Sequence, residues 1–341
     1  MNINFFKINL WCQSLVKYPK NRNLKRKIAS FLMLSFFGCL AIAAVEPTKV
    51  NSTSIVFPLD HGEHEKATTE TWMFTGEFEI ENGEKYAYMY KLKRNQKEYK
   101  VFTNIVNISV SNSKPLLNYK ATSSTQEVFK KKGKYYWKIK NAFMKYDAIA
   151  DSWFFGVLDD KNGFNFRVKG IRAYVLNGSK GYITKLHKNN TIEAFKASYS
   201  AQSMSINGYL TIENKSNFVT GKNSWFQHSW GVTLPGHRAA KYALITCRFS
   251  DNTGLMLYEW FGKEKRWPVN LKTGTYQDAL DKKTLLSHFS LAKSSKTQEW
   301  TISIPALNIN IAGLSDAIPE YDVIQVDSNK KGYCFVNQKG F

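Results

Sequence analysis

The stretch Glu77-Phe78-Glu79-Ile80-Glu81-Asn82-Gly83-Glu84-Lys85-Tyr86-Ala87-Tyr88-Met89-Tyr90 sets the fold class. Charged and apolar residues alternate from Glu77 to Glu81, and a period of two is the mark of a strand with one buried face. Asn82-Gly83 then supplies a turn, and the return run puts Tyr86, Tyr88 and Tyr90 on one face. This is a β-hairpin. Similar strand-turn-strand units follow at Trp153–Val168 around Asp159-Asp160-Lys161-Asn162-Gly163, at Ser203–Ile212, at Tyr242–Trp260 around Asp251-Asn252-Thr253-Gly254, and at Thr301–Ile311. One short amphipathic helix is expected, at Tyr276–Leu286. Many short strands with almost no helix give an all-β fold of antiparallel sandwiches or barrels, and about 290 residues of them suggest two such units.

The 341 residues are 43% hydrophobic and 15% aromatic, which supplies a core and excludes disorder as the main state. Lys and Arg number 48 against 27 Asp and Glu, a net charge of +21 that would suggest nucleic acid if it were gathered on one face. Instead, seven of the basic residues lie within residues 1–43, which contain no acid, and the remaining 298 residues carry +14. There the basic residues are spread along strands and turns. The two clusters, Lys130-Lys131-Lys132 and Lys263, Lys265, Arg266, adjoin turns and read as solvated faces. A nucleic-acid partner is therefore not expected, whereas association with an anionic membrane surface is compatible with the residual charge.

The leader has the form of an export signal. Lys25-Arg26-Lys27 precedes an uncharged run of 18 residues, Ile28 to Val45, and Ala41-Ile42-Ala43 offers a small-x-small cleavage site. The run is also just long enough to stay as an N-terminal membrane anchor. Either way the body is expected outside the cytoplasm. After cleavage Cys247 and Cys334 remain, as a disulfide or as two buried thiols.

Two segments concentrate polar chemistry among aromatics. The first is Phe57-Pro58-Leu59-Asp60-His61-Gly62-Glu63-His64, followed by Glu70-Thr71-Trp72-Met73. The second is Ser224-Trp225-Phe226-Gln227-His228-Ser229-Trp230, with Tyr258 on a later strand. Indole faces favour cations and imidazole exchanges protons near neutral pH, so the combination suits an apolar ligand that passes through positive charge. The alternatives are a hydrogen-bonded cluster that closes a loop, and a partial metal site that lacks a third ligand nearby in sequence, with His228 able to arrive through space. No phosphate-binding loop or nucleophile elbow is complete, and neither a metal nor a cofactor is expected.

These residues carry a resemblance. "IVFPLDHGEHEKATTETWMFTG" from Ile55 to Gly76 is similar to the opening of the carotenoid 1,2-hydratase (hydroxyneurosporene synthase) family, with its AttH-type secreted members, where F-P-x-D-H-x-x-H precedes E-W-W-Y-[FY]-T-G. "VTGKNSWFQHSWG" resembles the family segment V-x-G-x-[AS]-W-[FM]-D-H-E-W-[GS], and Gly332-Tyr333 and Gly340-Phe341 echo its terminal motif. The resemblance implies two lipocalin-like β-barrel domains, placed at residues 52–217 and 218–341 after the leader at 1–43. It also implies an apolar pocket and cofactor-free addition of water to an isoprenoid double bond, a hydro-lyase reaction. Carried onto this chain, it makes His228, Asp60, Glu70 and Tyr258 the catalytic candidates and His61, His64, Trp72, Trp225 and Trp230 the ligand-binding ones. The chain departs from the pattern at Thr71 and Met73, where the family has Trp and Tyr, and at Gln227 and Ser229, where it has acids. With two acids and two aromatics replaced, the expected chemistry is of hydration or isomerisation type on an isoprenoid or lipid-like ligand, and the alternative is a non-catalytic apolar-ligand-binding or envelope-interaction protein.

Overall fold

The computed structural model describes residues 54–339 apart from 97, 111–113, 125–128, 132–133, 187–191, 232–238, 265–266 and 319–320. The leader, Lys132, Lys265, Arg266 and Gly340-Phe341 lie outside the described residues. The larger of two antiparallel sheets has 13 strands. They are β1 (Thr69–Ile80), β2 (Lys85–Asn95), β3 (Glu98–Asn107), β4 (Pro115–Ser124), β5 (Phe129–Lys131), β6 (Lys134–Ile139), β7 (Ala142–Asp147), β8 (Ser152–Val157), β9 (Gly163–Gly170), β10 (Val175–Leu176), β11 (Tyr182–Leu186), β12 (Ile192–Ile212) and β13 (Lys215–Gly231). The order β4-β3-β2-β1-β13-β12-β9-β8-β7-β6-β5, with β10 and β11 added on β12, curls until β4 returns beside β6. Tyr119 Oη of β4 there accepts a hydrogen bond from Asn141 N, between β6 and β7.

The smaller sheet has nine strands, β14 (Ala239–Phe249), β15 (Gly254–Glu264), β16 (Trp267–Gln277), β17 (Lys283–Leu286), β18 (Ser290–Lys293), β19 (Glu299–Ile304), β20 (Ile309–Ile318), β21 (Tyr321–Asp327) and β22 (Lys331–Lys339). No α-helix occurs among the described residues, and the only helical turns are two short 3-10 turns. Residues 217 and 218 both lie inside β13, a strand of the larger sheet.

Period two explains the cores. The larger sheet's interior is packed with rings, among them Trp72, Phe74, Tyr88, Tyr90, Phe155 and Phe166, while Ile245, Leu257, Trp300 and Ile324 belong to the core of the smaller. Each buried aromatic contributes about 2–3 kcal/mol of transfer free energy, so the rings dominate the stability of both units. A third cluster joins the two sheets, with Met73, Ala87 and Met89 of the larger against Tyr321, Val323 and Phe335 of the smaller. Cys247 and Cys334 face each other on β14 and β22 and form a disulfide.

Two sequence expectations are corrected. Residues 276–286 form the end of β16, a turn and β17 instead of a helix. Asp278 Oδ1 accepts from the backbone N–H groups of Leu280 and Lys282, and Asp281 adopts a left-handed φ of 67°, so local hydrogen bonding closes a turn where a helix would have to continue. Residues 203–212 are one continuous piece of β12 with no turn. Gly208 at φ 146° lets this strand cross β9 closely, since a Cβ there would meet Asn165 O at 2.1 Å.

Candidate functional site

β1 and β13 pair directly, with Glu70 opposite Trp230, Thr71 opposite Ser229, Trp72 opposite His228 and Met73 opposite Gln227. Alternation sends Glu70, Trp72, His228 and Trp230 inward, and Thr71, Met73, Trp225, Gln227 and Ser229 outward. The inward group meets a 3-10 turn, Leu59–His61, that crosses the end of the barrel. Trp72 Nε1 donates to His61 O at 3.1 Å, which ties that turn to the barrel wall.

The charged centre is continuous. His228 Nε2 lies 2.9 Å from Glu70 Oε1, and His64 Nδ1 lies 2.7 Å from the same oxygen. His64 Nε2 lies 3.0 Å from Asp60 Oδ1, and Asp60 Oδ2 accepts from Val56 N at 2.6 Å. Arg94 completes the other side of Glu70, donating from Nε to Oε2 at 3.1 Å, and its Nη2 donates to the backbone oxygens of His64 at 2.6 Å and Ala67 at 3.1 Å. Rings enclose the group. Trp230 stacks on His64 at 3.7 Å and 6°, and Trp72 on His228 at 4.6 Å and 17°.

Donors and acceptors fix the protons. Both nitrogens of His64 face carboxylates, which only accept, so His64 is an imidazolium. Burial opposes that charge, but the bonds and charges of Asp60 and Glu70 outweigh burial and raise its pKa above the ordinary histidine value. Burial alone would raise Glu70, yet hydrogen bonds and charge from His228 and His64 bring it down to about 2. His228 Nδ1 donates to Asp60 O at 2.9 Å, and Nε2 donates to Glu70 Oε1 whenever His228 is an imidazolium. Burial pushes the His228 imidazolium down while Glu70 pushes it up, and a lowered pKa makes His228 the readier donor of that proton.

Beyond His228 the chain continues inward. Tyr199 Oη is 3.3 Å from His228 Nδ1 and 2.6 Å from His61 Nδ1. It also lies 3.3 Å from Asp60 O, and the shorter contact takes its hydrogen. His61 is fully buried and neutral, its pKa pushed down to about 3 by desolvation, so with Nδ1 accepting its own proton is on Nε2. That N–H has no hydrogen-bond partner among the described residues.

His64 Nδ1, Glu70 Oε1 and His228 Nε2 lie within 4.8 Å of one another, a two-histidine, one-carboxylate set of the kind that can take a divalent metal. The two N···O separations are those of charge-assisted hydrogen bonds, and Arg94 already neutralises the carboxylate, so the arrangement as it stands holds protons. It can donate a proton from a buried couple, take it back through His64 and Asp60 at the surface, and face a cation with indole rings.

The outward face differs. Gln227 Nε2 donates to Ser198 Oγ at 3.3 Å, and Asn177 Nδ2 donates to Ser198 Oγ and Ser200 Oγ at 3.0 and 2.7 Å. Gln227 Oε1, both amide atoms of Gln202, Asn177 Oδ1, Thr246 Oγ1 and Gln277 Oε1 are buried without a partner, along the seam between the two sheets. Tyr258, expected beside His228, is on β15 of the smaller sheet with Lys196 Nζ 5.4 Å from its ring centroid, and Trp225 also points outward. The structure thus brings Asp60, His61, His64, Glu70, Trp72, His228 and Trp230 together and leaves Tyr258 and Trp225 apart. All four departures from the family pattern are outward, as the pairs Thr71–Ser229 and Met73–Gln227.

Three participants were not among the site candidates expected from the sequence: Arg94, Tyr199 and Glu63, which lies 3.4 Å from Arg94. A signal existed for the first. Counting outward from the turn at Gly83 pairs Glu70 with Arg94, a base opposite a buried acid. Counting from the Glu213-Asn214 turn likewise pairs Tyr199 with His228.

Residues 48–316 match the family model described as AttH-like. An AttH-type protein of Nitrosomonas europaea superposes with a TM-score of 0.69 at 14% identity, covering 84% of this chain and 98% of that one. Kievitone hydratase of Nectria haematococca superposes with a TM-score of 0.63 at 12% identity, covering 86% and 95%. At these identities the likeness concerns the fold. A comparison with curated protein sequences finds no match.

Proposed function

The chain belongs to the AttH-like family, and on that premise we propose that it is an exported, lipocalin-like protein that binds an isoprenoid or lipid-like molecule and adds water to it without a cofactor. The observation that carries the reading is the 2.9 Å contact between Glu70 Oε1 and His228 Nε2, across which one proton can be shared, beneath the face of Trp72. In the proposed reaction the couple gives that proton to the alkene, forming the new C–H bond and a tertiary cation. The faces of Trp72 and Trp230 stabilise the cation. Water forms the C–O bond, and its surplus proton returns to the couple, so the net change is addition of one water. Substrate reaches the couple when residues 54–68, which cover it, lift away. One of the solved structures of this fold is of a hydratase, which agrees with the reaction class. Export rests on the leader's pattern, and an association with anionic membrane lipids on the residual positive charge.

A second reading, of a non-catalytic binding protein, is favoured by one observation. Both ring nitrogens of His228 are already bonded within the protein, as a latch holding residues 54–68 to the barrel would require. An acyclic isoprenoid with a terminal trisubstituted double bond, incubated with the protein in oxygen-18 water, separates the two. The first reading expects a labelled tertiary alcohol, with His228→Gln slowing its formation by at least about 100-fold. Saturable binding of the isoprenoid with no labelled product supports the second.

A further inference from the structure

The buried N–H of His61 Nε2 is the one polar atom of the inward chain that ends on nothing. The imidazole sits among Phe57, Tyr146, Trp153, Tyr174 and Tyr199, with ring centroids 4.3–5.6 Å away. Trp153, edge-on to it at 5.5 Å, contributes a second buried donor without a partner, its indole Nε1. An unmatched buried donor costs about 1–3 kcal/mol, and two such donors against one aromatic wall are a polar point in an otherwise apolar lining. Tyr146 and Tyr174 donate their hydroxyls to Asp151 Oδ1 at 2.8 and 3.3 Å, and neither oxygen accepts from His61 Nε2. The wall reaches the surface, since Phe57 and Tyr174 are partly exposed and the neighbouring Leu59 is 68% exposed.

We propose that the aromatic cluster under the 59–61 turn opens as a chamber for the oxygen-bearing end of a neutral, mainly apolar molecule, with His61 Nε2–H donating to a hydroxyl or carbonyl oxygen of that ligand and Trp153 Nε1–H beside it. The chamber accepts one oxygen and rejects charge. Its lining has no cation, and the carboxylates nearest to His61, Asp60 and Asp151, are already engaged by His64 and by the two tyrosines. A hydrocarbon without oxygen leaves both donors unmet. The inference rests on the ligand-binding reading above and adds which functional group is recognised, and by which atom.

Cyclohexanol and methylcyclohexane, nearly equal in size, are the probes for the full chain. Proton–nitrogen NMR follows the His61 Nε2–H and Trp153 Nε1–H signals, and calorimetry measures binding. Cyclohexanol is expected to shift both signals saturably and to bind at least about fivefold tighter than methylcyclohexane, the worth of one net hydrogen bond. His61→Phe is expected to abolish that preference. His61→Gln keeps an N–H donor and is expected to retain part of it, which guards against a His61→Phe chain that does not fold. Binding of cyclohexanol with both ring signals unmoved overturns the chamber but leaves the ligand-binding reading standing. Equal affinity for the two probes, or a His61 N–H that contacts only an ordered water and responds to neither, overturns the inference. An isoprenoid that fails to bind anywhere on the protein overturns the reading beneath it.

Discussion

The two faces of the β1/β13 ladder are built from alternate residues of the same two segments, and they are opposites. Inward, Glu70 accepts from His64 and Arg94 and meets the fully buried His228, and Trp72 and Trp230 stack on the two histidines. Outward, one step along each strand, Gln227 leaves its amide oxygen unmet opposite Met73, which packs against the smaller sheet. All four departures from the family pattern fall on the outward face. The inward face can therefore be intact even though four positions of the motif have changed. What looked in the sequence like an eroded site is a kept face and a rewritten one, interleaved at period two.

The largest expected difference between the faces comes from Glu70→Gln. It strips the carboxylate from His64, Arg94 and His228 together, and breaking a buried ionic network of this kind costs on the order of 3–5 kcal/mol, read as a fall in denaturation midpoint. A loss no larger than that of an outward substitution would erase the contrast.

The pH dependence of stability comes next. Glu70 is held near pKa 2, below its unfolded value, so its contribution is present above about pH 4.5 and is lost as pH falls towards 2. At full burial this is on the order of 3 kcal/mol. His64 is raised, so its contribution is complete below about pH 6.5 and disappears as pH climbs through its folded value. His61 acts in the opposite sense, favouring the folded state above about pH 6.5 and withdrawing that support down to about 3. Denaturation across pH should therefore show an alkaline loss that His64→Gln removes and an acid loss that His61→Phe reduces. If His64→Gln leaves the alkaline limb unchanged, His64 is not the imidazolium that the geometry requires.

Trp230→Leu is expected to cost about 1 kcal/mol beyond its lost area by removing the ring stacked on the His64 cation, and to lower the pKa of His64 measurably by NMR titration. The smallest effect belongs to the outward face. Gln227→Leu removes one 3.3 Å bond together with an orphaned oxygen, and is expected to change stability by less than about 1 kcal/mol in either direction. A cost above 3 kcal/mol would mean that the seam between the sheets is as tightly specified as the inward cluster.

Much of this was legible in the sequence. Alternation and turn residues give the hairpins at 77–90, 153–168, 242–260 and 301–311, because local period and turn chemistry are properties of neighbouring residues. They mislead at 276–286, where the side chain of Asp278 captures backbone N–H groups, and at 203–212, where a glycine serves a strand crossing instead of a turn. The site was legible as residue types but not as faces. Gln227 and Ser229 flank His228 in the chain yet point away from it, and Tyr258 belongs to a different sheet. Arg94 and Tyr199 are found only when register is counted across two turns, since their roles come from pairing and not from any local motif.

The central claim is that the inward face stores protons at neutral pH. Nitrogen-15 NMR of histidine-labelled protein at pH 7 reads it directly. The account predicts that both ring nitrogens of His64 are protonated and that His228 Nδ1 carries a proton. A neutral His64 with one bare ring nitrogen, or a His228 whose Nδ1 is bare, would contradict it.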